Sequence, residues 1–407
     1  MGELEMGWKR RSATRSSGGC ADLGEVCPGS RLDGVRAGLP SNVLRAILLL
    51  LAGVWSSLPA CAEGSPDDVA PRRTPLVVVA TTGMIADAAR VIAGDRASVT
   101  ALMGEGVDPH LYKASPGDMR RMLDADLVLF NGLHLEGRMG DSIARLGSRT
   151  RVVCVTDVIP DAALRGAEAD SAAPSPAHAP AVASRDHADP HVWFDVELWM
   201  KVVEGVRDGL VEVDPSGRER YVTNARIYLD VLLRLHTEVR STIASIPAER
   251  RVLVTAHDAF GYFGRAYGLE VLAIQGLSTD SEASLRDISV LVGTLSTRRI
   301  PAVFIESSVP RKTVDALVEG CAARGHALRV GGELFSDAMG RDGTAEGSYV
   351  GMVRHNVRTI TSALGGTVPG EPKVAPPNES PTPSAPAPSP EEKREHESHE
   401  SHESHES

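Results

Sequence analysis

The stretch SGRERYVTNARIYLDVLLRLHTEVRSTIASI, residues 216–246, holds a helical period along its whole length, with no glycine or proline after Gly217. At 1.5 Å per residue such a helix is on the order of 45 Å long, enough to cross between two lobes. On both sides of it, strands and helices alternate. Ahead of it, strand-like runs at 75–82, 97–104, 127–132 and 151–158 alternate with helical patterns at 83–94, 115–125 and 137–147, and 190–213 reads as a further helix. The helix at 115–125 opens on Ser-Pro, a capping residue followed by a good first-turn residue. Behind the long helix, strands at 251–257, 269–276, 301–308 and 327–337 alternate with helices at 259–268, 281–299, 310–325 and 346–365.

Continuous apolar strands between amphipathic helices indicate parallel sheets covered on both faces. The expected fold is therefore α/β: two (β/α) lobes with parallel sheets, joined by a single long backbone helix. The expected N-terminal lobe spans 75–212, the connecting helix 213–247 and the C-terminal lobe 248–366. In such sheets ligands bind beyond the carboxyl ends of the strands, and in a two-lobed protein those ends can face one another across a cleft.

Composition agrees. The 407 residues leave room for two domains plus ends; 42% are apolar and only 4% aromatic, which suits a core packed with Ala, Val and Leu. A formal net charge of -11, with no Lys/Arg cluster beside aromatics, argues against nucleic acid as a partner.

The ends read differently from the middle. In VLRAILLLLAGVWSSLPA, residues 43–60, an Arg precedes a short apolar run and small residues follow, the pattern of a secretory signal peptide within a leader of residues 1–62. The run is too short to span a bilayer. The long segment ahead of it suggests that translation starts downstream of Met1, near Val43. Two cleavage patterns compete: LPAC resembles a lipobox that would make Cys61 a lipid-bearing first residue, while ACA before Glu63 fits ordinary cleavage. Both imply export, to the periplasm or to a lipid anchor on the outer side of a bacterial membrane. Residues 162–188 read as a Ser/Ala/Pro-rich surface loop. Residues 367–407 form a Pro-rich tether followed by EHESHESHESHES, which repeats His at 396, 399, 402 and 405. Without apolar residues the His/Glu/Ser run cannot bury a core. It is either a solvated acidic tail or an accessory collector of metal ions. Cys154 and Cys321 read as buried small hydrophobes, and no Cys-x-x-Cys occurs.

Asp-Pro-His occurs twice, ending at His110 and at His191, 81 residues apart. Asp caps helices, Pro favours the first helical position, and His would then fall in the first turn, where the helix dipole keeps imidazole neutral. His110 follows the strand at 97–104, His257 ends the strand at 251–257, and Asp337 ends the strand at 327–337. These four metal-competent side chains fall where parallel sheets present ligands. Glu333, Asp280 and Asp342 compete with Asp337, whereas His134, His236, His326 and His355 read as structural or surface residues. No HExxH, Gly-x-Ser-x-Gly, Walker or Gly-x-Gly-x-x-Gly pattern is present.

The run ATTGMIADAARVIAGDRASVTALMGEGVDPHLYKASP, with DPHVWFD, TAHDAFGYFGRAYGLEVLAIQGLSTDSEAS, AVFIESSVPRKTVDAL and GGELFSDAMG, resembles the TroA-like (cluster A-I) substrate-binding proteins of bacterial zinc/manganese ABC importers. The resemblance covers residues 75–365. It implies two lobes on a rigid backbone helix, with a metal held between them by His110, His191, His257 and Asp337. Manganese-specialised members often carry Glu where this chain has His257, and more imidazole favours zinc. Zinc-specialised members often have a His-rich loop before the second ligand; here that loop holds only His178 and His187. The implied function is capture of Zn(II), or Mn(II), outside the cytoplasm by a monomeric, non-enzymic protein. Delivery would go to a membrane permease powered by a cytoplasmic ATPase, with small lobe motions. The alternatives are a secreted zinc hydrolase, in which one of the four groups acts as general base, and a surface adhesin lipoprotein.

Overall fold

A computed structural model describes residues 75–148, 150–166 and 185–370. Cys61, His178 and the tail histidines His396, His399, His402 and His405 lie outside the described residues, as do the leader and residues 167–184 of the inserted loop.

The first sheet is built from β1 (Leu76–Ala80), β2 (Ala97–Ala101), β3 (Leu127–Phe130) and β4 (Arg151–Cys154), all parallel in the order β2-β1-β3-β4. β1 and β3 are central and almost wholly buried, whereas β2, at the edge, alternates between half-buried and exposed. Three helices connect these strands: α1 (Gly83–Ala93), α2 (Pro116–Leu123) and α3 (Gly140–Ala144). Ser115 caps α2 in a reciprocal box with Asp118, which accounts for the sharp start that Ser-Pro promised. The helix expected over 137–147 is only five residues long, flanked by tighter 3-10 turns that contain Gly137 and Gly147. α4 (Val196–Val213) packs back on this lobe.

The second lobe repeats the plan. β5 (Val252–His257) pairs in parallel with β6 (Glu270–Gln275), and β7 (Ala302–Glu306) with β8 (Arg329–Leu334). β5 and β7 run side by side, and at their ends the amides of Ala256 and His257 donate to the Glu306 carboxylate. The helices are α6 (Gly261–Tyr267), α7 (Leu285–Arg298), α8 (Lys312–Ala323) and α9 (Tyr349–Ala363).

Between the lobes runs α5, Arg218–Ala244, 27 residues and about 40 Å long. Among its buried residues, Tyr221, Ala225, Tyr228, Leu232, Leu235, Val239 and Thr242 recur every three or four positions, with His236 and Ile243 widening the same face. That spacing is one continuous apolar face. α4 and α1 pack on it from the first lobe, and α9 from the second. One contiguous apolar core consequently runs from β1 through α5 to α9. The half-buried Asp87 carboxylate ties α1, α5 and α9 together: it accepts the Tyr349 amide at 3.0 Å and the Tyr228 hydroxyl at 3.4 Å. No described helix is long and apolar enough to cross a membrane.

Adjacent leucines on α5 test this packing. Leu232 is fully buried and Leu233 is 54% exposed. Leu232→Ala is expected to cost about 2–5 kcal/mol in urea unfolding, and Leu233→Ala to stay within about 0.5 kcal/mol of wild type. Equal effects would contradict the assigned face.

Candidate metal centre

The two Asp-Pro-His steps do not start α-helices. Pro109 and His110 lie in a turn, and His191 precedes a short 3-10 turn, Val192–Phe194. α4 begins only after Asp195, whose carboxylate caps the Glu197 and Leu198 amides. The two aspartates make Asx turns instead: Asp108 Oδ1 accepts the His110 amide at 2.8 Å, and Asp189 Oδ1 accepts the His191 amide at 2.9 Å. The helix-dipole reason for neutral rings therefore does not apply. What the repeat delivers is a tight bend that aims each imidazole inward. Gly137 lets the first bend pack closely, because a Cβ there would come within 2.7 Å of the His110 carbonyl oxygen.

Both bends point at the ends of β5 and β8. His257 is the last residue of β5, and Asp337 lies three residues beyond β8. One donor atom from each of His110, His191, His257 and Asp337 lies within 4.8 Å of all the others, and all four residues are buried. His110 Nε2 stands 3.3 Å from His191 Nε2. Asp337 Oδ1 is 3.4 Å from His191 Nε2, and Asp337 Oδ2 is 3.3 Å from His257 Nε2. Tetrahedral bonds of about 2.0–2.1 Å require donor–donor edges of about 3.3–3.4 Å, and these three separations fall in that range, two of them through different oxygens of Asp337. Yet His257 Nε2 and Asp337 Oδ1 are buried with no hydrogen-bond partner. Native proteins seldom leave such atoms unsatisfied. The arrangement fits a divalent cation held by three nitrogens and one or two oxygens.

Behind two of the rings stand carboxylates. His191 Nδ1 is 2.8 Å from Asp189 Oδ1, and His257 Nδ1 is 2.5 Å from Glu306 Oε2. Each pairing directs Nδ1 outward and leaves Nε2 for the centre, an arrangement that orients metal-binding histidines and raises their basicity. Electrostatics follow. Burial pushes His110 down to about 4. Burial also opposes charge on His191, but Asp189 and Asp337 override it and raise the ring to about 9. On His257, burial is outweighed by Glu306 and Asp337, and the value rises well above 6.5. Asp337 is buried too, yet His257 and His191 hold it well below the usual carboxylate range.

The other candidates fall elsewhere. Among the described residues, the metal-competent cluster contains none of Glu333, Asp280 or Asp342. His236 is buried against Tyr267, His326 Nε2 contacts the Ile300 carbonyl, and His355 Nε2 the Glu333 carbonyl. Cys321 is buried, Cys154 is half-buried against the Asn131 carbonyl, and neither forms a disulfide. Sequence reasoning missed Glu306 and gave Asp189 only a capping role. A signal for Glu306 existed: a Glu closing an otherwise apolar buried strand, AVFIE, needs a partner.

The charge pattern is measurable in metal-free protein by histidine NMR titration. His110 should stay neutral down to about pH 4, and His191 should stay protonated up to about pH 9. Because the His191 value is raised on folding, its stabilising contribution is complete below about pH 6.5 and is lost as pH climbs through about 9. Glu306→Gln should lower the His257 titration; an unmoved value would show that Glu306 does not control it.

Comparison with known proteins follows the same lines. A family model described as zinc-uptake complex component A periplasmic (ZnuA) matches residues 78–363. The zinc-binding protein TroA of Treponema pallidum is 46% identical over 310 residues, covering 76% of this chain and 92% of that protein. The manganese-binding lipoprotein MntA of Bacillus subtilis is 44% identical over 330 residues, covering 81% of this chain and all of that protein. The solved structure of periplasmic zinc-binding TroA from Treponema pallidum superposes with a TM-score of 0.64 at 48% identity, covering 71% of this chain and 99% of the other. The resemblance read from the motifs thus holds over nearly all of the described chain, and the protein belongs to the ZnuA family of zinc-uptake components.

Proposed function

We propose that this protein captures a divalent transition-metal cation outside the cytoplasm, zinc in preference to manganese, and delivers it to an ABC-type permease whose cytoplasmic ATPase drives import. The observation that carries this reading is the buried set of His110, His191, His257 and Asp337, in which His257 Nε2 and Asp337 Oδ1 make no hydrogen bond. Burying such groups without hydrogen bonds is costly, and a cation between them satisfies all of them at once.

Three imidazoles favour zinc over the harder manganese ion. Both Asp337 oxygens face ring nitrogens, so the carboxylate can supply a second oxygen to an ion that wants more ligands. The relatives named for zinc and for manganese are consistent with one scaffold that serves either ion. Four protein ligands leave no coordination position set aside for a reactive water, which favours carriage over catalysis.

The signal-like segment at 43–60 supports export, and the lipoprotein name of the MntA relative supports attachment through Cys61. In this reading the chain is a monomer, and His396, His399, His402 and His405 collect ions weakly.

Two measurements test the proposal. Native mass spectrometry with elemental analysis should find one tightly held ion per chain, with zinc displacing manganese. His257→Ala should sharply weaken that binding, and Glu306→Gln should weaken it about 10–100-fold; unchanged stoichiometry and affinity in His257→Ala would sink the ligand assignment. Removing residues 371–407 should leave the tight ion in place and abolish only weaker binding. Loss of the tight ion on truncation would move the site to the tail.

A further inference from the structure

The two Asp-Pro-His bends are alike in one oxygen and different in the other. In each, Asp Oδ1 holds the backbone amide of its own histidine. Asp189 Oδ2 then binds the buried guanidinium of Arg165 at 2.6 Å, in its own lobe. That guanidinium lies against Gly261, where any Cβ would overlap it. Asp108 Oδ2 instead accepts the Thr279 hydroxyl, 171 residues away on the loop between β6 and α7 of the other lobe.

The surroundings differ in the same sense. The His191 bend is sealed to the second lobe. The Tyr262 hydroxyl donates to the Asp189 carbonyl at 3.0 Å, Trp193 Nε1 to the Ser336 carbonyl at 3.0 Å, and the Tyr349 hydroxyl to the Trp193 carbonyl at 2.7 Å. Phe194 stacks on Phe260 with ring centroids 4.2 Å apart. Parting the lobes here would expose an aromatic core. Around His110, the side-chain hydrogen bond to the second lobe is the half-buried Asp108–Thr279 pair. His110 is also the most exposed of the four, at 7%, against 0% for His191 and His257 and 3% for Asp337. Among the described residues, no carboxylate hydrogen-bonds to its ring, unlike those of His191 and His257.

We infer that Asp108 and Thr279 form a latch across the mouth of the site: Asp108 is a positioning residue that ties the backbone of His110 to the second lobe, and the Thr279 hydroxyl holds it there and slows release of the captured cation. This rests on the metal-capture reading. The ion then leaves on the His110 side while the His191 side stays closed.

The test is a release rate. The full chain is loaded with one equivalent of Zn(II) and chased with an excess of chromophoric chelator in a stopped-flow instrument. Thr279→Val keeps the shape and removes the donor; it is expected to speed release roughly tenfold, the effect of losing one hydrogen bond to a charged acceptor. Thr279→Ser is expected to restore the wild-type rate, with one ion per chain in both variants. Release from Thr279→Val at the wild-type rate, failure of Thr279→Ser to restore it, or loss of the ion from Thr279→Val overturns the latch alone. A wild-type chain that takes up no Zn(II) overturns the capture reading and the latch together.

Discussion

A charged or strongly polar group buried away from water has to be answered by a partner, and the seam between the two lobes concentrates that constraint. Three imidazoles and a carboxylate meet there within 4.8 Å, shielded from solvent. Two of the rings are held from behind by Asp189 and Glu306, and Glu306 in turn accepts the amides of Ala256 and His257. Each carboxylate therefore fixes a ring and a stretch of backbone together. What remains unanswered is at the centre, on His257 Nε2 and Asp337 Oδ1. A cation is the one species that satisfies every inward-facing donor at once.

The scaffold explains how that geometry is positioned. α5 carries a continuous buried face, and helices from both lobes pack on it. Because the apolar core is shared between the lobes, a wide opening would expose much of it to water. The compliant part is the polar edge near His110, where the contact between lobes is half-buried and made by loops. Stability and mobility are thus divided between two sides of one site.

Much of this was legible in the chain itself. The period of residues 216–246 announced the long helix, and the eight apolar runs marked eight strands, because helical periodicity and short continuous apolar runs are written directly into local sequence. His110, His257 and Asp337 could be singled out because each follows or ends a strand where parallel sheets present ligands, and His191 because it repeats the Asp-Pro-His step of His110. The Asp-Pro-His reading went astray because Asp before Pro suits both a helix cap and an Asx turn. Local propensity does not choose between them. In the second copy Asp195, four residues past His191, supplies a cap with two amides to accept, and the helix starts there instead.

By itself, then, the sequence determined the elements, their alternation and the residue types able to bind a metal, since these depend on neighbours along the chain. Only the tertiary structure decided the pairings: Glu306 with His257, Asp189 with both His191 and Arg165, and Asp108 with Thr279. These contacts join residues as far as 171 positions apart. No local pattern encodes them, because they arise when two sheets bring their strand ends face to face and each buried polar group takes the partner within reach.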